Sequence, residues 1–275
     1  MKIYPKISPQ DIGYEMTEKI KKSEGIEIQF FDECGITEPF NFEDEVIKRK
    51  KEFPNLKEIT IHPPLDNYNL ELIFLKNENI FEEQLYKLVE LSKKLEIKLN
   101  LIYHTYMPVR QYISTNLDKK LKEKLKIVEK TNVNVLIENL FMMLDEKEEC
   151  TPIEICKHIN HTNLRCCLDI THLHCKANSL KKEYYQMVKN ELNPEDCKKY
   201  IYQIHFAAAL NNDGYIDKKT HGRKHLKFED LKEDLEILKE LGLKDKNYIT
   251  EVSEDDYYLR KDQLAEISML EKCMW

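Results

Sequence analysis

The sequence predicts an α/β fold, a single (β/α)8 barrel over residues 1–275, on three observations. Short β-like runs alternate with longer, charged segments of helical period along the whole chain. Eight such runs fit within 275 residues, the length of one barrel domain. Six successive runs, the third to the eighth, end on or next to an imidazole or a carboxylate. The carboxyl ends of parallel strands are where such folds build their sites. A doubly wound open sheet shares the first two observations, and alternation alone does not separate the two; the placement of the polar residues favours the barrel.

The strand-like runs are Lys2–Ile7, Ile26–Phe31, Glu58–His62, Lys98–His104, Val133–Leu140, Leu164–Asp169, Tyr200–Phe206 and Tyr248–Val252. Between them, Phe81–Leu95 places Phe81, Leu85, Leu88, Val89 and Leu95 near helical spacing, and Leu117–Lys130 does so with Leu121, Leu125 and Val128. Thr151-Pro152 reads as an N-cap followed by proline at the first helical position. Phe228–Leu241 meets Gly242 as a C-terminal stop, and Tyr257–Cys273 forms the last helix.

Composition removes several classes of function. With 41% hydrophobic and 34% charged residues the chain is too apolar to be disordered and too charged for a membrane protein. Met1–Pro5 lacks the apolar core of a secretion signal, so a cytoplasmic location is expected. A net charge of −7 argues against a broadly basic nucleic-acid binder while leaving room for a local basic groove. The six glycines are too dispersed for a dinucleotide turn or a P-loop. Eight cysteines form no CxxC pair and read as reduced, structural thiols.

The rim residues are His62, His104, Glu138, Asp169, His205 and Glu251. Each alone has a bland reading, as a hydrogen-bonded rim histidine or a helix-capping acid. Six in register are harder to explain that way, because ionisable groups brought this close are costly to bury unpaired. A bound divalent cation would hold them together, with carboxylates ionised and imidazoles neutral. His172, in Asp169-Ile170-Thr171-His172, can swing over the same mouth, and His221 lies on the loop after the seventh strand. His174 and His225 read as surface or supporting residues, and His158 and His161 as structural. Arg110, Lys176, Arg223 and Lys224 are candidates for a substrate phosphate and are otherwise solvated.

At these residues the sequence resembles the xylose-isomerase-like TIM-barrel superfamily, from the second strand to the last. The most specific piece is Cys167-Leu168-Asp169-Ile170-Thr171-His172, which looks like the LD-x-x-H signature; Glu138-Asn139 and Glu251 match in order and spacing. In the sugar isomerase and epimerase branch, the resemblance implies that Glu138, Asp169, His205 and Glu251 ligate one metal. Glu138 and Glu251 double as acid and base, and His172 contacts substrate, with His62 and His104 as further substrate-binding candidates. In the branch of endonuclease-IV-type AP endonucleases, it implies His62, His104 and Glu138 at one zinc, a second zinc on the first set, and a third on His172, His221 and an aspartate. Lys219 stands where that aspartate belongs, with Asp213 and Asp217 nearby but out of place. The aromatic wedge expected after His62 is missing from Pro63-Pro64-Leu65-Asp66. A third zinc is therefore not expected, unless Asp213, Asp217 or His225 completes its site.

The expected activity is divalent-metal-dependent isomerisation or epimerisation of a sugar, sugar phosphate or polyol, by glutamate-mediated proton transfer. The alternatives are an endonuclease-IV-like zinc phosphodiesterase, the only reading with a nucleic-acid partner, and a non-catalytic ligand-binding barrel. The oxygen-rich ligand set suits Mn²⁺ or Mg²⁺, with Co²⁺ and Zn²⁺ also compatible and Zn²⁺ favoured in a multinuclear centre.

Overall fold

Side chains alternate across a strand, and here the two faces differ in kind. One face of each strand is aliphatic or aromatic and packs outward under helices, as with Ile26 and Ile28, Ile59 and Ile61, Leu99 and Leu101, and Ile204 and Phe206. The other face carries Glu27, Thr60, Asn100, Asn134 and Gln203, all buried. Such a pattern is stable only if the sheet closes on its polar face, so that those groups hydrogen-bond one another. The computed structural model describes residues 1–32, 35–36, 41–64, 78–105, 113–139, 152–208 and 222–273. Its eight main strands form a closed parallel barrel. In chain order they are β1 (Lys2–Ile7), β2 (Gly25–Gln29), β3 (Glu58–His62), β4 (Lys98–His104), β5 (Val133–Glu138), β6 (Leu164–Asp169), β7 (Ile201–Phe206) and β8 (Asn247–Thr250). β1 pairs with both β2 and β8, which closes the ring and excludes the open sheet.

Inside the ring the amides form a chain. Thr60 Oγ1 donates to Gln203 Oε1 at 2.8 Å and accepts from Asn100 Nδ2 at 3.0 Å. Asn134 Nδ2 donates to Asn100 Oδ1 at 2.8 Å, and Asn100 Nδ2 also reaches Glu58 Oε1 at 2.7 Å. A small apolar cluster of Ile102, Leu136 and Cys167 fills the remaining interior. Register aligns the upper ends: Gln29 lies opposite His62, His104 opposite Glu138, and Asp169 opposite His205.

Ten α-helices lie among the described residues: α1 (Tyr14–Lys21), α2 (Phe42–Glu52), α3 (Glu78–Leu95), α4 (Leu117–Lys124), α5 (Pro152–Ile159), α6 (Ile170–Ser179), α7 (Tyr184–Glu191), α8 (Pro194–Tyr200), α9 (Phe228–Glu240) and α10 (Lys261–Lys272). None is long and apolar enough to cross a membrane. One helix per strand was the expected pattern, and the departure is the trio α6, α7 and α8 between β6 and β7. Each of these helices has its own side-chain cap, from Asp169, Glu183 and Asn193. The helix expected over Leu117–Lys130 tightens into a 3₁₀ turn at Leu125–Val128. The last helix begins at Lys261 rather than Tyr257, after Arg260 in a left-handed conformation. The C-terminal stop of α9 is as expected. Gly242 has φ +73° and its N–H donates to the Lys239 carbonyl, while the Leu243 N–H returns to Leu238, a Schellman closure. Proline opens α5; Thr151 and Leu140 lie outside the described residues.

Six of the eight cysteines are described, and Cys34 and Cys150 lie outside the described residues; Cys167 Sγ lies within 4.8 Å of ligand-type atoms of Glu138 and His205. Cys166 and Cys167 are buried on opposite faces, one near Cys156 and the other in the barrel interior, and the described cysteines are free thiols.

His225 is buried and bridged rather than on the surface. Its Nδ1 lies 2.5 Å from Glu266 Oε1, its Nε2 lies 3.1 Å from Asp234 Oδ2, and Asp234 Oδ1 in turn meets His174 Nε2 at 2.8 Å. This cluster ties α6, α9 and α10 together. Burial works against the His225 charge, but the hydrogen bonds from Asp234 and Glu266 outweigh it and raise the imidazole to about 9. The folded state therefore holds this proton more tightly than the unfolded chain, whose imidazole titrates near ~6.5. The stabilisation is complete below that value and is lost as pH rises through about 9, on the order of 3 kcal/mol in total. Stability measured by denaturant titration from pH 6 to 10 is expected to decline for the native protein. The His225→Leu variant should be less stable throughout but show a flatter slope.

Candidate metal centre

The ends of the barrel strands bring the predicted rim residues into one buried group. His62, His104, Glu138 and Asp169 are the last residues of β3, β4, β5 and β6; His205 is penultimate in β7, and Glu251 follows β8 directly. All six are at most 6% exposed. Ligand-type atoms of Glu138, Asp169, His205 and Glu251 lie within 4.8 Å of one another, and so do those of His62, His104 and Glu138. Glu138 belongs to both groups. Its Oε1 is 3.3 Å from His205 Nδ1, and its Oε2 is 3.5 Å from His104 Nε2 and 3.7 Å from His62 Nε2. His62 stacks on His104 with ring centres 5.0 Å apart.

His172 sits in the first turn of α6, because Asp169 caps that helix by accepting the His172 backbone N–H at 2.8 Å. Its Nδ1 donates to the Asn139 carbonyl at 2.6 Å and lies 3.7 Å from Glu138 Oε1. Asn139 locks the neighbouring strand ends together, exchanging hydrogen bonds with the Asp169 backbone at 2.9 and 2.8 Å. His221, Lys219, Asp213, Asp217 and Arg110 lie outside the described residues. His225 is held by Asp234 and Glu266, away from the rim group. Of the basic candidates for a phosphate, Lys176 pairs with Glu191 and Lys224 with Asp262.

Two residues that sequence reasoning missed complete the group. Lys6, near the end of β1, donates to Glu251 Oε1 at 3.2 Å and is buried. Glu27, in the middle of β2, is fully buried and reaches both His62 and His205. A signal for Glu27 was present in the alternation Ile26-Glu27-Ile28: a carboxylate on the inward face between two outward isoleucines.

The electrostatics are those of a crowded pocket. Burial alone would raise the Glu138 carboxyl, but the imidazoles of His205 and His104 hold it well below the usual range. Burial is likewise overcome at Glu251, by His205 and Lys6. Burial would lower His205, yet Cys167, Glu138, Glu251 and Glu27 around it raise it well above the ordinary imidazole value. At His172 burial prevails and lowers it. Even so, Oε2 of Glu138, Nδ1 of His205 and Oε2 of Glu251 are buried and make no hydrogen bond among the described residues, although Nδ1 and the Glu251 oxygen approach to 2.5 Å. Buried polar atoms without hydrogen bonds call for an explanation, and convergent carboxylate oxygens and an imidazole nitrogen are the donor set of a divalent cation.

Comparison with known proteins gives a consistent picture of the fold. No curated protein matches the sequence. Among solved structures, a D-tagatose 3-epimerase-like protein superposes with a TM-score of 0.62 at 20% identity, covering 99% of this chain and 96% of its own. The IOLI protein with a bound zinc atom gives 0.60 at 18%, with 99% and 96% coverage. A 3-keto-D-glucoside 4-epimerase from E. coli, in its apo form, gives 0.57 at 15%, with 99% and 98% coverage. The family model described as xylose isomerase-like TIM barrel matches residues 21–273, nearly the whole chain, and with the closed barrel described above it establishes that this chain belongs to the xylose isomerase-like TIM-barrel family.

Proposed function

We propose that the protein is a divalent-metal-dependent isomerase or epimerase of a sugar or related polyol. The observation that carries this reading is the pair of glutamates, Glu138 and Glu251, whose oxygens converge with Asp169 and His205 on one point of the barrel mouth. These four residues would hold the ion; Mn²⁺, Mg²⁺, Co²⁺ and Zn²⁺ all suit the set. When bound, such an ion supplies Lewis acidity that polarises a carbonyl and its neighbouring hydroxyl, making the intervening carbon-bound proton acidic. The chain's own residues do the proton transfers. One glutamate removes the proton from carbon while the other delivers one, and a carboxylate can serve because ligation uses one oxygen and leaves the second free. Lys6 donates to Oε1 of Glu251 and turns Oε2 inward, so the Glu251 oxygen that ligation would leave for proton transfer is the one Lys6 hydrogen-bonds. Asp169, which would ligate the ion, also caps α6 and so brings His172 to the edge of the site, where its ring can hydrogen-bond a substrate hydroxyl. A 3-keto-D-glucoside 4-epimerase of the same fold supports this reading.

A second reading is favoured by one specific observation, the His62–His104–Glu138 group. Nitrogen-rich and sharing Glu138, it would hold a second ion, as an endonuclease-IV-like zinc phosphodiesterase requires. Metal stoichiometry separates the two. The isomerase reading expects one ion per chain, unchanged in a His62→Ala/His104→Ala double variant; two ions, falling to one in that variant, would favour the phosphodiesterase.

The activity is tested with a panel of ketoses, ketose phosphates and abasic-site DNA, with the sugars run in deuterated water. Conversion of a sugar with solvent deuterium at the altered carbon is expected. Glu138→Gln and Glu251→Gln should each lower kcat by roughly 10²–10⁴-fold. Cleavage of abasic-site DNA without any sugar conversion would overturn the proposal.

A further inference from the structure

Glu27 sits below the rim and belongs to neither of the two rim groups, although with His62 and His205 it forms a further group of ligand-type atoms within 4.8 Å of one another, and it touches a member of each rim group. Its Oε1 is 3.3 Å from His62 Nδ1. Its Oε2 is 2.9 Å from His205 Nε2 and 2.7 Å from Gln203 Nε2. The residue is 0% exposed, so none of these contacts is exchanged for water. We propose that Glu27 is the positioning residue of the centre, a single carboxylate that fixes the tautomers of His62 and His205 so that each turns a bare nitrogen toward its own ligand group. The proposal rests on the cation-holding part of the reading above.

The argument is one of donors and acceptors. A carboxylate only accepts, and a neutral imidazole donates from one nitrogen and accepts at the other. With a cation on His205 Nδ1, which otherwise meets Glu251 Oε2 at 2.5 Å, the hydrogen of the neutral ring is left to Nε2, which faces Glu27 Oε2 at 2.9 Å and Gln203 Nε2 at 3.1 Å; at His62 the hydrogen lies on Nδ1, which faces Glu27. The opposite nitrogens are then bare. For His205 this is Nδ1, which faces Glu138 and Glu251; for His62 it is Nε2, which faces Glu138. Both bare nitrogens point to the shared carboxylate of Glu138, so Glu27 behind and Glu138 in front hold the two imidazoles as one unit. A carboxylate behind a ligating imidazole fixes ring orientation and raises the basicity of the nitrogen that binds.

Gln203 makes the arrangement asymmetric. Thr60 donates to its Oε1, and Thr60 in turn accepts from Asn100, so the NH₂ end of Gln203 is committed to Oε2 of Glu27. In Glu27→Gln the new NH₂ cannot take the Oε2 position, where it would meet the NH₂ of Gln203. It must take the Oε1 position and donate to His62. His62 would then accept at Nδ1 and carry its hydrogen on Nε2, turned toward the rim, while His205 would keep its tautomer.

The test is long-range ¹H–¹⁵N NMR of the histidine rings in the Zn²⁺-loaded protein, with Zn²⁺ affinity measured by chelator competition. In the native protein His62 is expected as the Nδ1–H tautomer and His205 as Nε2–H. In Glu27→Gln, His62 inverts, His205 does not, and Zn²⁺ affinity falls roughly 10–100-fold. The opposite tautomer for either ring in the native protein would overturn the proposal without need of a variant, as would unchanged tautomers and affinity in Glu27→Gln. No substrate enters these measurements, so a protein that binds Zn²⁺ in this way but converts no sugar would contradict the proposed activity and leave the role of Glu27 standing.

Discussion

The burial of four carboxylates, Glu27, Glu138, Asp169 and Glu251, in one barrel mouth is the constraint on which the structure depends. Ionised groups this deep are tolerated only when paired or bound to a cation. The chain supplies His62, His104, His172 and His205 as partners and Lys6 as the one ammonium that contacts the group among the described residues. Burial works against the His205 charge, but Cys167, Glu138, Glu251 and Glu27 around it hold its proton well above the ordinary imidazole range. A divalent ion would take over the pairing with these carboxylates and release the proton, coupling metal uptake to the state of one histidine.

The scaffold meets this constraint in layers. The outward strand faces form a continuous apolar shell with the helices. The inward faces carry the amide chain that ends at Gln203 and orients Glu27. The connection between β1 and the last helix is anchored from inside. Arg260 is buried and donates to the Lys6 carbonyl at 3.1 Å and to Ser8 Oγ at 2.8 Å, so the residue just before α10 also fixes the backbone that carries Lys6. Asp169 joins the layers directly, ending a strand, capping a helix and facing the centre at once.

The barrel and the rim were legible in the sequence because both obey a period. Outward aliphatics recur every second residue, and the rim residues fall at or near strand ends: His62, His104 and Asp169 close their runs, and Glu138 lies two residues before the end of Val133–Leu140. Glu27 and Lys6 escaped for a related reason. They lie on the first two strands, whose final residues are unremarkable in charge, and their roles arise from contacts between residues up to 245 positions apart in the chain, as with Lys6 and Glu251 at the ends of the strands that close the ring. The three helices between β6 and β7 escaped because their caps are local and short. The burial of His225 escaped because its partners, Asp234 and Glu266, come from two different helices.

The central claim is that the strand-end residues hold a divalent cation. Anomalous diffraction from crystals grown with Mn²⁺, recorded on both sides of the manganese edge, tests it most directly. The account predicts one strong peak bonded to Glu138, Asp169, His205 and Glu251, at distances of about 2.0–2.6 Å. Well-ordered side chains at these four positions with no peak between them, or a peak bound only elsewhere on the molecule, would contradict it.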